Sequence, residues 1–160
     1  MSVVFRPLRL DTGTAGAVLL HSMPGRLEHW DDFLRAARAA QVVRVACLTP
    51  MDEVALLSPV YHAAIVSGGL PFAWTALPMH NFGLASDALA FRAGIAALAD
   101  AVGAGDTVLL HCAAGIGRTG TAAACLLKRL GVATPEVVQR VREAGSRPES
   151  ALQGGLIESF

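Results

Sequence analysis

Short apolar runs and helical repeats alternate along this chain. Runs that are continuously apolar, or that alternate apolar and polar residues, predict β-strands. The predicted strands are Ala17–His21, Val42–Leu48, Ala73–Leu77 and Thr107–His111. The predicted helices are His29–Ala40, Ser58–Val66, Ser86–Val102, Thr119–Leu130, 134–144 and Ser150–Ser159. Because strands alternate with helices, the pattern predicts an α/β domain with a largely parallel central sheet flanked by helices.

Size and composition favour one folded domain over residues 1–160. The chain has 160 residues, of which 53% are hydrophobic and 16% charged, a balance typical of a globular protein with one core. Its longest apolar runs fall short of the roughly 18 residues of a membrane span. The first ten residues include two arginines and a proline, where a signal peptide needs an unbroken apolar stretch. We therefore expect a cytoplasmic protein.

Charge and cysteine content exclude several classes of partner and site. Lys plus Arg and Asp plus Glu number 13 each, and no basic tail or stripe predicts binding to nucleic acid or to a membrane surface. The three cysteines, Cys47, Cys112 and Cys125, are odd in number and lack ligand-like spacing. They predict neither a disulfide scaffold nor a zinc site. No metal or cofactor is expected, which leaves a specialised thiol as the interpretation.

The segment His111–Gly120, with the sequence HCAAGIGRTG, is where the chemistry is expected. Ligands of parallel sheets bind at the carboxyl ends of the strands, and this segment joins a predicted strand to an alanine-rich helix. A loop in that position presents unpaired backbone N–H groups and the positive end of the helix dipole. Gly115, Gly117 and Gly120 allow the N–H groups to converge on one point. The sequence therefore predicts a phosphate-sized anion site.

Three side chains in this loop predict nucleophilic chemistry on a phosphoryl group. Cys112 opens the loop, where the helix N-terminus and a cationic neighbour favour the thiolate. Arg118 closes it with a planar guanidinium that can hold two phosphoryl oxygens. Thr119 can donate its hydroxyl to the sulfur, and His111 is expected to point away and to fix the loop by hydrogen bonding.

The pattern His-Cys-x5-Arg-Thr/Ser-Gly resembles the signature of protein tyrosine phosphatases and dual-specificity phosphatases. Residues 17–160 resemble the small single-domain dual-specificity group, notably cyclin-dependent-kinase-associated phosphatases and their bacterial relatives. Besides the signature, the residues that carry this resemblance are Pro24-Gly25, Cys47-Leu48, Asp52-Glu53, 78–83 and Gln153 before a closing apolar helix.

The resemblance implies a two-step hydrolysis without a metal. The Cys112 thiolate would attack phosphorus to give a phosphocysteine, and water would then hydrolyse it. Arg118 and the loop amides would hold the transition-state charge. The implied phosphate-binding residues are Ala113, Ala114, Gly115, Ile116, Gly117 and Arg118. Gln153 matches the family glutamine that positions the water.

The general acid of the family is missing from its expected place. The resemblance calls for Pro-x-x-Asp about thirty residues before the cysteine, whereas Pro78–Gly83 here contains Asn81, which cannot transfer a proton at neutral pH. Asp87, expected in a first helical turn, is one replacement. Asp52 or Glu53, reaching in from another loop, and His80 are others. The remaining alternative is a weak acid step that favours leaving groups of low pKa, such as phenols.

Two further cysteines and two rival functions complete the expectations. Some related phosphatases protect the nucleophile with a second cysteine, so the resemblance implies a possible role for Cys47 in a reversible Cys47–Cys112 disulfide. Cys125 is expected in the core.

The substrate is expected to be a phosphorylated protein or a small phosphomonoester. The rivals are a catalytically weak phosphate-binding module and an inositol or lipid phosphatase. Ala113–Gly117 adds no charge for extra phosphates, which favours a monophosphate ester.

Overall fold

A computed structural model describes residues 3–160. The described strands are β1 (Arg6–Leu8), β2 (Ala17–His21), β3 (Val42–Cys47), β4 (Ala73–Ala76) and β5 (Thr107–His111). The described helices are α1 (Trp30–Ala39), α2 (Met51–Leu57), α3 (Pro59–Ser67), α4 (Ala88–Gly103), α5 (Gly117–Arg129), α6 (Thr134–Glu143) and α7 (Ala151–Ser159).

The five described strands form one sheet in the order β1-β2-β5-β3-β4. β2, β5, β3 and β4 are parallel, and β1 pairs antiparallel with β2 at the edge. In this register His111 at the end of β5 lies opposite His21 on β2 and Cys47 on β3. The predicted α/β class with a largely parallel sheet is confirmed, and β5, which leads into the signature loop, lies at the centre of the sheet.

Helices cover both faces of the sheet, as parallel strands require. One face is buried beneath α4, α5, α6 and α7, in a core that includes Leu20, Leu110, Ile95 and Leu126. The other face packs against α1 through Phe33 and Ala37. Every residue of α5 from Gly117 to Leu127 is buried, because the helix that leaves the signature loop lies between the sheet and the other helices.

Two elements were not predicted from the sequence. β1 has only three residues and contains Pro7, which suits an edge strand but gives no apolar alternation. α2 follows Pro50 and has only seven residues. The expectation that Asp52 and Glu53 lie on a loop is therefore wrong, since both lie in the first turn of a helix, where carboxylates favour the helix dipole.

Two helix starts also differ from the prediction. The cap of α4 is Asp87, whose carboxylate accepts the Ala90 N–H at 2.9 Å, and not Ser86. Asp87 therefore precedes the first helical turn. α5 begins at Gly117, two residues before the predicted Thr119, so that the signature arginine is itself helical.

Candidate active site

The segment from Cys112 to Gly117 turns its backbone carbonyls outward. The Ala113 carbonyl accepts hydrogen bonds from Met23 N and from Arg26 Nη1, at 3.2 and 2.9 Å. The Gly115 carbonyl accepts from Arg6 Nη2 at 2.5 Å and from Ser146 Oγ at 2.7 Å. Donors from three separate parts of the chain thus hold the loop from outside.

The N–H groups of the same loop are left for a ligand. Among residues 3–160, the backbone N–H groups of Ala113, Ala114, Ile116, Gly117 and Arg118 donate to no backbone carbonyl. Buried N–H groups without a partner are costly, and several of them converging at a helix start form an anion nest. The loop is therefore shaped for an oxyanion such as a phosphoryl group.

The Cys112 sulfur lies within this nest. Cys112 as a whole residue is only 3% exposed. It accepts hydrogen bonds from the Gly115 N–H at 3.3 Å and from the Thr119 hydroxyl at 3.1 Å. The side chain predicted as nucleophile therefore lies inside the loop and accepts hydrogen bonds from one backbone and one side-chain donor.

Two glycines of the loop lie against backbone where no side chain fits, and a third lies against the side chain of Glu149. Gly115 has φ +77°, and a β-carbon there would lie 2.5 Å from the His21 carbonyl oxygen. A β-carbon on Gly120 would lie 2.6 Å from Arg147 N. At Gly117 it would overlap the Glu149 carboxylate and lie 2.9 Å from the carboxyl carbon. The loop is thus closely backed by β2 and by the segment between α6 and α7.

Arg118 is held in place by Glu53 of α2. Both guanidinium Nη atoms donate to the Glu53 carboxylate at 2.8 Å, and Nη1 also donates to the Met79 carbonyl at 3.2 Å. These bonds to Arg118 hold the pKa of Glu53 below its usual value. Burial by itself would lower the pKa of Arg118, but the Glu53 carboxylate keeps it above its usual value. The structure thus pairs Glu53 with the signature arginine, which occupies its carboxylate and disfavours it as the proton donor.

His111 is completely buried and ends a chain of hydrogen bonds. Trp74 Nε1 donates to the Tyr61 hydroxyl at 2.8 Å, which bonds His111 Nε2 at 2.8 Å, while His111 Nδ1 bonds the Cys112 carbonyl at 3.1 Å. Burial lowers the pKa of His111 to about 3. The ring is therefore neutral at physiological pH, with Nε2 accepting from Tyr61 and Nδ1–H donating to Cys112. It fixes the start of the loop from behind, away from the nest.

The stretch between β4 and α4, where the family aspartate was expected, lies beside the signature loop. Its first part is tied to Arg118 through the Met79 carbonyl. Its second part is tied to Gln153, whose Nε2 donates to the Gly83 carbonyl at 3.1 Å. Between these two ties lie the exposed side chains of Asn81 and Phe82, and Phe82 adopts a left-handed φ of +56°. An amide therefore occupies the stretch in which the resemblance calls for an acid.

The other acid candidates already have partners. Asp87 caps α4 through the Ala90 N–H. His80 Nε2 bonds the Ser86 hydroxyl at 2.9 Å. Asp52 accepts the backbone N–H of Glu53 at 2.9 Å. None of these bonds directs the side chain to the Cys112 sulfur.

Gln153 is fully buried at the start of α7. Its Oε1 accepts the Glu149 N–H at 2.8 Å while its Nε2 holds the Gly83 carbonyl. It therefore links the segment behind the signature loop to the Asn81 stretch, and both ends of its amide are occupied by backbone.

Cys47 and Cys125 are both free, buried thiols. Cys47 lies beside the start of the signature loop, through its pairing with His111, and burial raises the pKa of its thiol to about 12. Cys125 lies on α5 and points into the core, and burial likewise raises the pKa of its thiol to about 12.

Three residues that contact the signature loop were not predicted from the sequence. Arg6 and Tyr61 reach the loop from positions more than a hundred and about fifty residues away, and Glu149 lies against Gly117. Within residues 3–160, no three His, Cys, Asp or Glu side chains gather as a metal site would require. Nor is any helix of that range long and apolar enough to cross a membrane.

Comparisons with known proteins agree with this geometry. The family model described as "PTP-SAK: Swiss Army Knife protein, DSP-PTPase phosphatase domain" matches residues 12–153. No curated protein matches at the level of sequence.

Solved structures share the fold at low identity. Kinase associated phosphatase (KAP), with its catalytic-site cysteine replaced by serine, superposes with a TM-score of 0.86 at 15% identity, covering 100% of this chain and 94% of that one. TpbA of P. aeruginosa gives 0.62 at 18% identity, covering 96% and 89%. PTPMT1 in complex with PI(5)P gives 0.62 at 19% identity, covering 89% and 88%. The chain therefore belongs to the dual-specificity phosphatase domains of the protein-tyrosine-phosphatase superfamily, within the family described for Swiss Army Knife proteins.

Proposed function

We propose that this chain is a metal-independent phosphomonoester hydrolase that acts through a phosphocysteine. The observation that carries the proposal is the position of the Cys112 sulfur inside a nest of backbone N–H groups without backbone partners, closed by a guanidinium that Glu53 holds. Nucleophile, anion hole and cation lie within one strand–loop–helix unit, which is the arrangement that attack on a phosphoryl group requires.

In the first step, the Cys112 thiolate attacks phosphorus in line with the ester oxygen. A sulfur–phosphorus bond forms, and the ester bond breaks with its electron pair on the leaving oxygen. The N–H groups of residues 113–118 and the Arg118 guanidinium bind the equatorial oxygens, whose charge must be held in the transition state. In the second step, water attacks the phosphocysteine, and the sulfur leaves as a thiolate that keeps the hydrogen bond from Thr119. The positive charge for both steps comes from the chain itself.

The leaving group in the first step is expected to be a phenolate. Asn81 cannot supply a proton at neutral pH, and the Asp87 carboxylate caps α4. Asp87 remains an acid candidate only if it gives up that cap. A phenol needs less help from an acid than an aliphatic alcohol, because its oxygen leaves with a stable charge.

This chemistry favours phosphotyrosine in a protein over phosphoserine or phosphothreonine. The uncharged loop suits one phosphate, and the exposed Phe82 beside Asn81 offers an aromatic surface next to the site. Cytoplasmic reducing conditions would keep the Cys112 thiol free. The rival substrate class is a phosphoinositide, since PTPMT1 is solved with PI(5)P.

The test is hydrolysis of nitrophenyl phosphate in EDTA by the wild type and by Cys112→Ser. Nitrophenolate is a good leaving group that needs no protonation by an acid. The missing aspartate should therefore not hide the chemistry. We expect activity that survives EDTA and vanishes in the variant. A folded, reduced wild type without activity would instead support the phosphate-binding module. Phosphotyrosine peptide, phosphoserine peptide and PI(5)P in micelles, compared at equal concentration, then separate the substrate classes.

A further inference from the structure

One carboxylate at the signature loop has no partner. Glu53 is bonded to Arg118, Asp52 and Asp87 to backbone N–H groups, and His80 to Ser86. Among the described residues, the Glu149 carboxylate makes no hydrogen bond and no ion pair, although it touches the loop. It is therefore the acidic group at this site whose carboxylate no described residue occupies.

The Glu149 side chain contacts the loop that forms the anion nest. Its carboxylate packs on the Cα of Gly117, so closely that a β-carbon there would overlap it. Gly117 lies between Ile116 and Arg118, and the N–H groups of all three are left for the phosphoryl group. The carboxylate therefore contacts the loop at a residue whose own N–H and both neighbouring N–H groups are left for the ligand. The residue is also exposed, so water can reach the carboxylate from outside.

The backbone under Glu149 is fixed on both sides. Its N–H donates to Gln153 Oε1 at 2.8 Å. The next residue, Ser150, caps α7 by accepting the Gln153 N–H at 3.2 Å. Two residues earlier, Arg147 N donates to the Ile116 carbonyl at 3.2 Å. The side chain thus projects from a short segment that is anchored to the signature loop itself.

We infer that Glu149 is the general base of the second step, an assignment that rests on the function proposed above. The carboxylate takes a proton from the attacking water while the water oxygen bonds to phosphorus. The sulfur–phosphorus bond breaks, and its electron pair returns to the Cys112 sulfur. The products are inorganic phosphate, the thiolate and a protonated Glu149, which then releases its proton to solvent. Gln153, whose amide is occupied by backbone at both ends, acts on the water by positioning Glu149.

The two steps can be separated by rapid mixing with nitrophenyl phosphate. The burst of nitrophenolate measures formation of phosphocysteine, and the later steady rate measures its hydrolysis. For Glu149→Gln and Glu149→Ala we expect the burst rate to stay within about twofold. The steady rate should fall about 100-fold, within the range typical of general base catalysis. Phosphocysteine should then accumulate and be trapped by acid quench, and added formate should restore turnover in Glu149→Ala.

The control variant is Glu158→Gln, an exposed glutamate on α7 that does not touch the loop; both of its rates should match the wild type. An unchanged steady rate in Glu149→Gln overturns the inference while leaving the proposed function in place. So does a parallel fall of burst and steady rate, because that would indicate a structural role. A wild type that forms no phosphocysteine overturns the proposed function and this inference together.

Discussion

Arg6 holds the signature loop from behind, although it lies near the other end of the chain. Its guanidinium donates to three acceptors: the Ala144 carbonyl at 2.7 Å, the Ser146 hydroxyl at 2.9 Å and the Gly115 carbonyl. The Gly115 carbonyl belongs to the peptide whose N–H, on Ile116, faces the nest. A cation that polarises this carbonyl strengthens the N–H as a donor to phosphate. Arg6→Met should therefore weaken both the fold and anion binding.

The size of the effect follows from which acceptors lose a donor. Ser146 Oγ still donates to the Gly115 carbonyl, so that oxygen keeps a partner, whereas the Ala144 carbonyl loses the Arg6 donor. A hydrogen bond to a charged group contributes about 1.5–3 kcal/mol, and an unpaired buried acceptor costs about 1–3 kcal/mol. We expect Arg6→Met to lower the free energy of unfolding by about 2–4 kcal/mol on this basis. The same loss of polarisation should raise the inhibition constant of vanadate about tenfold, or 1.4 kcal/mol.

The matched control is Arg9→Met. Arg9 lies three residues further along, half-exposed, and pairs with Glu136 and Glu143 at the surface. Such exposed pairs contribute about 0–1 kcal/mol. Urea unfolding and vanadate inhibition of both variants measure the difference. Equal destabilisation by the two substitutions, or an unchanged vanadate constant in a folded Arg6→Met, would refute the role assigned to Arg6.

Three other predictions concern the acid, the buried histidine and the second cysteine. If Asn81 occupies the acid position, Asn81→Asp should raise turnover of phosphoserine peptide by at least about tenfold more than turnover of nitrophenyl phosphate; equal gains on both substrates would contradict that placement. The pKa of His111 falls to about 3 in the fold from about 6.5 unfolded, so the unfolded chain binds the extra proton between these values. The contribution of His111 to the free energy of unfolding should be complete above pH 6.5 and decline by up to about 1.4 kcal/mol per pH unit below that value. Urea unfolding at pH 4–7 should show a shallower decline with falling pH for His111→Gln than for the wild type. Identical slopes for the two proteins would contradict the burial of a neutral His111. After mild peroxide, a Cys112 sulfenic acid should condense with the Cys47 thiol to a disulfide and water, slowly because burial raises the pKa of Cys47 to about 12; peptide mapping without a linked Cys47–Cys112 peptide would exclude this protection.

The sequence predicted the parts of the fold that depend on local pattern. Four strands and the six longer helices follow from apolar periodicity, and the signature loop follows from its residues at fixed spacing. β1 and α2 were missed because three residues, or seven after a proline, carry too little periodicity to be recognised. Contacts between segments that are distant along the chain could not be predicted from the sequence. The pairing of Glu53 with Arg118 and the approach of Arg6 to Gly115 depend on how the sheet and helices pack.

The search for the general acid also separates what residue identity reveals from what depends on packing. The absence of an aspartate at Asn81 was visible from the sequence, because it is a matter of residue identity. That Asp87 is engaged as a helix cap depends on where α4 begins, which differed from the predicted start by two residues. That Glu149 touches Gly117 depends on the path of the chain between α6 and α7, for which no periodic pattern exists.

The glycines backed by other parts of the chain divide the signature loop into positions that can vary and positions that cannot. Any side chain at 115 or 120 would collide with backbone. Ala113, Ala114 and Ile116, by contrast, are at least partly exposed. A library restricted to these three positions should therefore yield folded variants with altered substrate preference. A lysine at Ala114, the most exposed of them, is the first choice for converting the enzyme to substrates that carry a second phosphate.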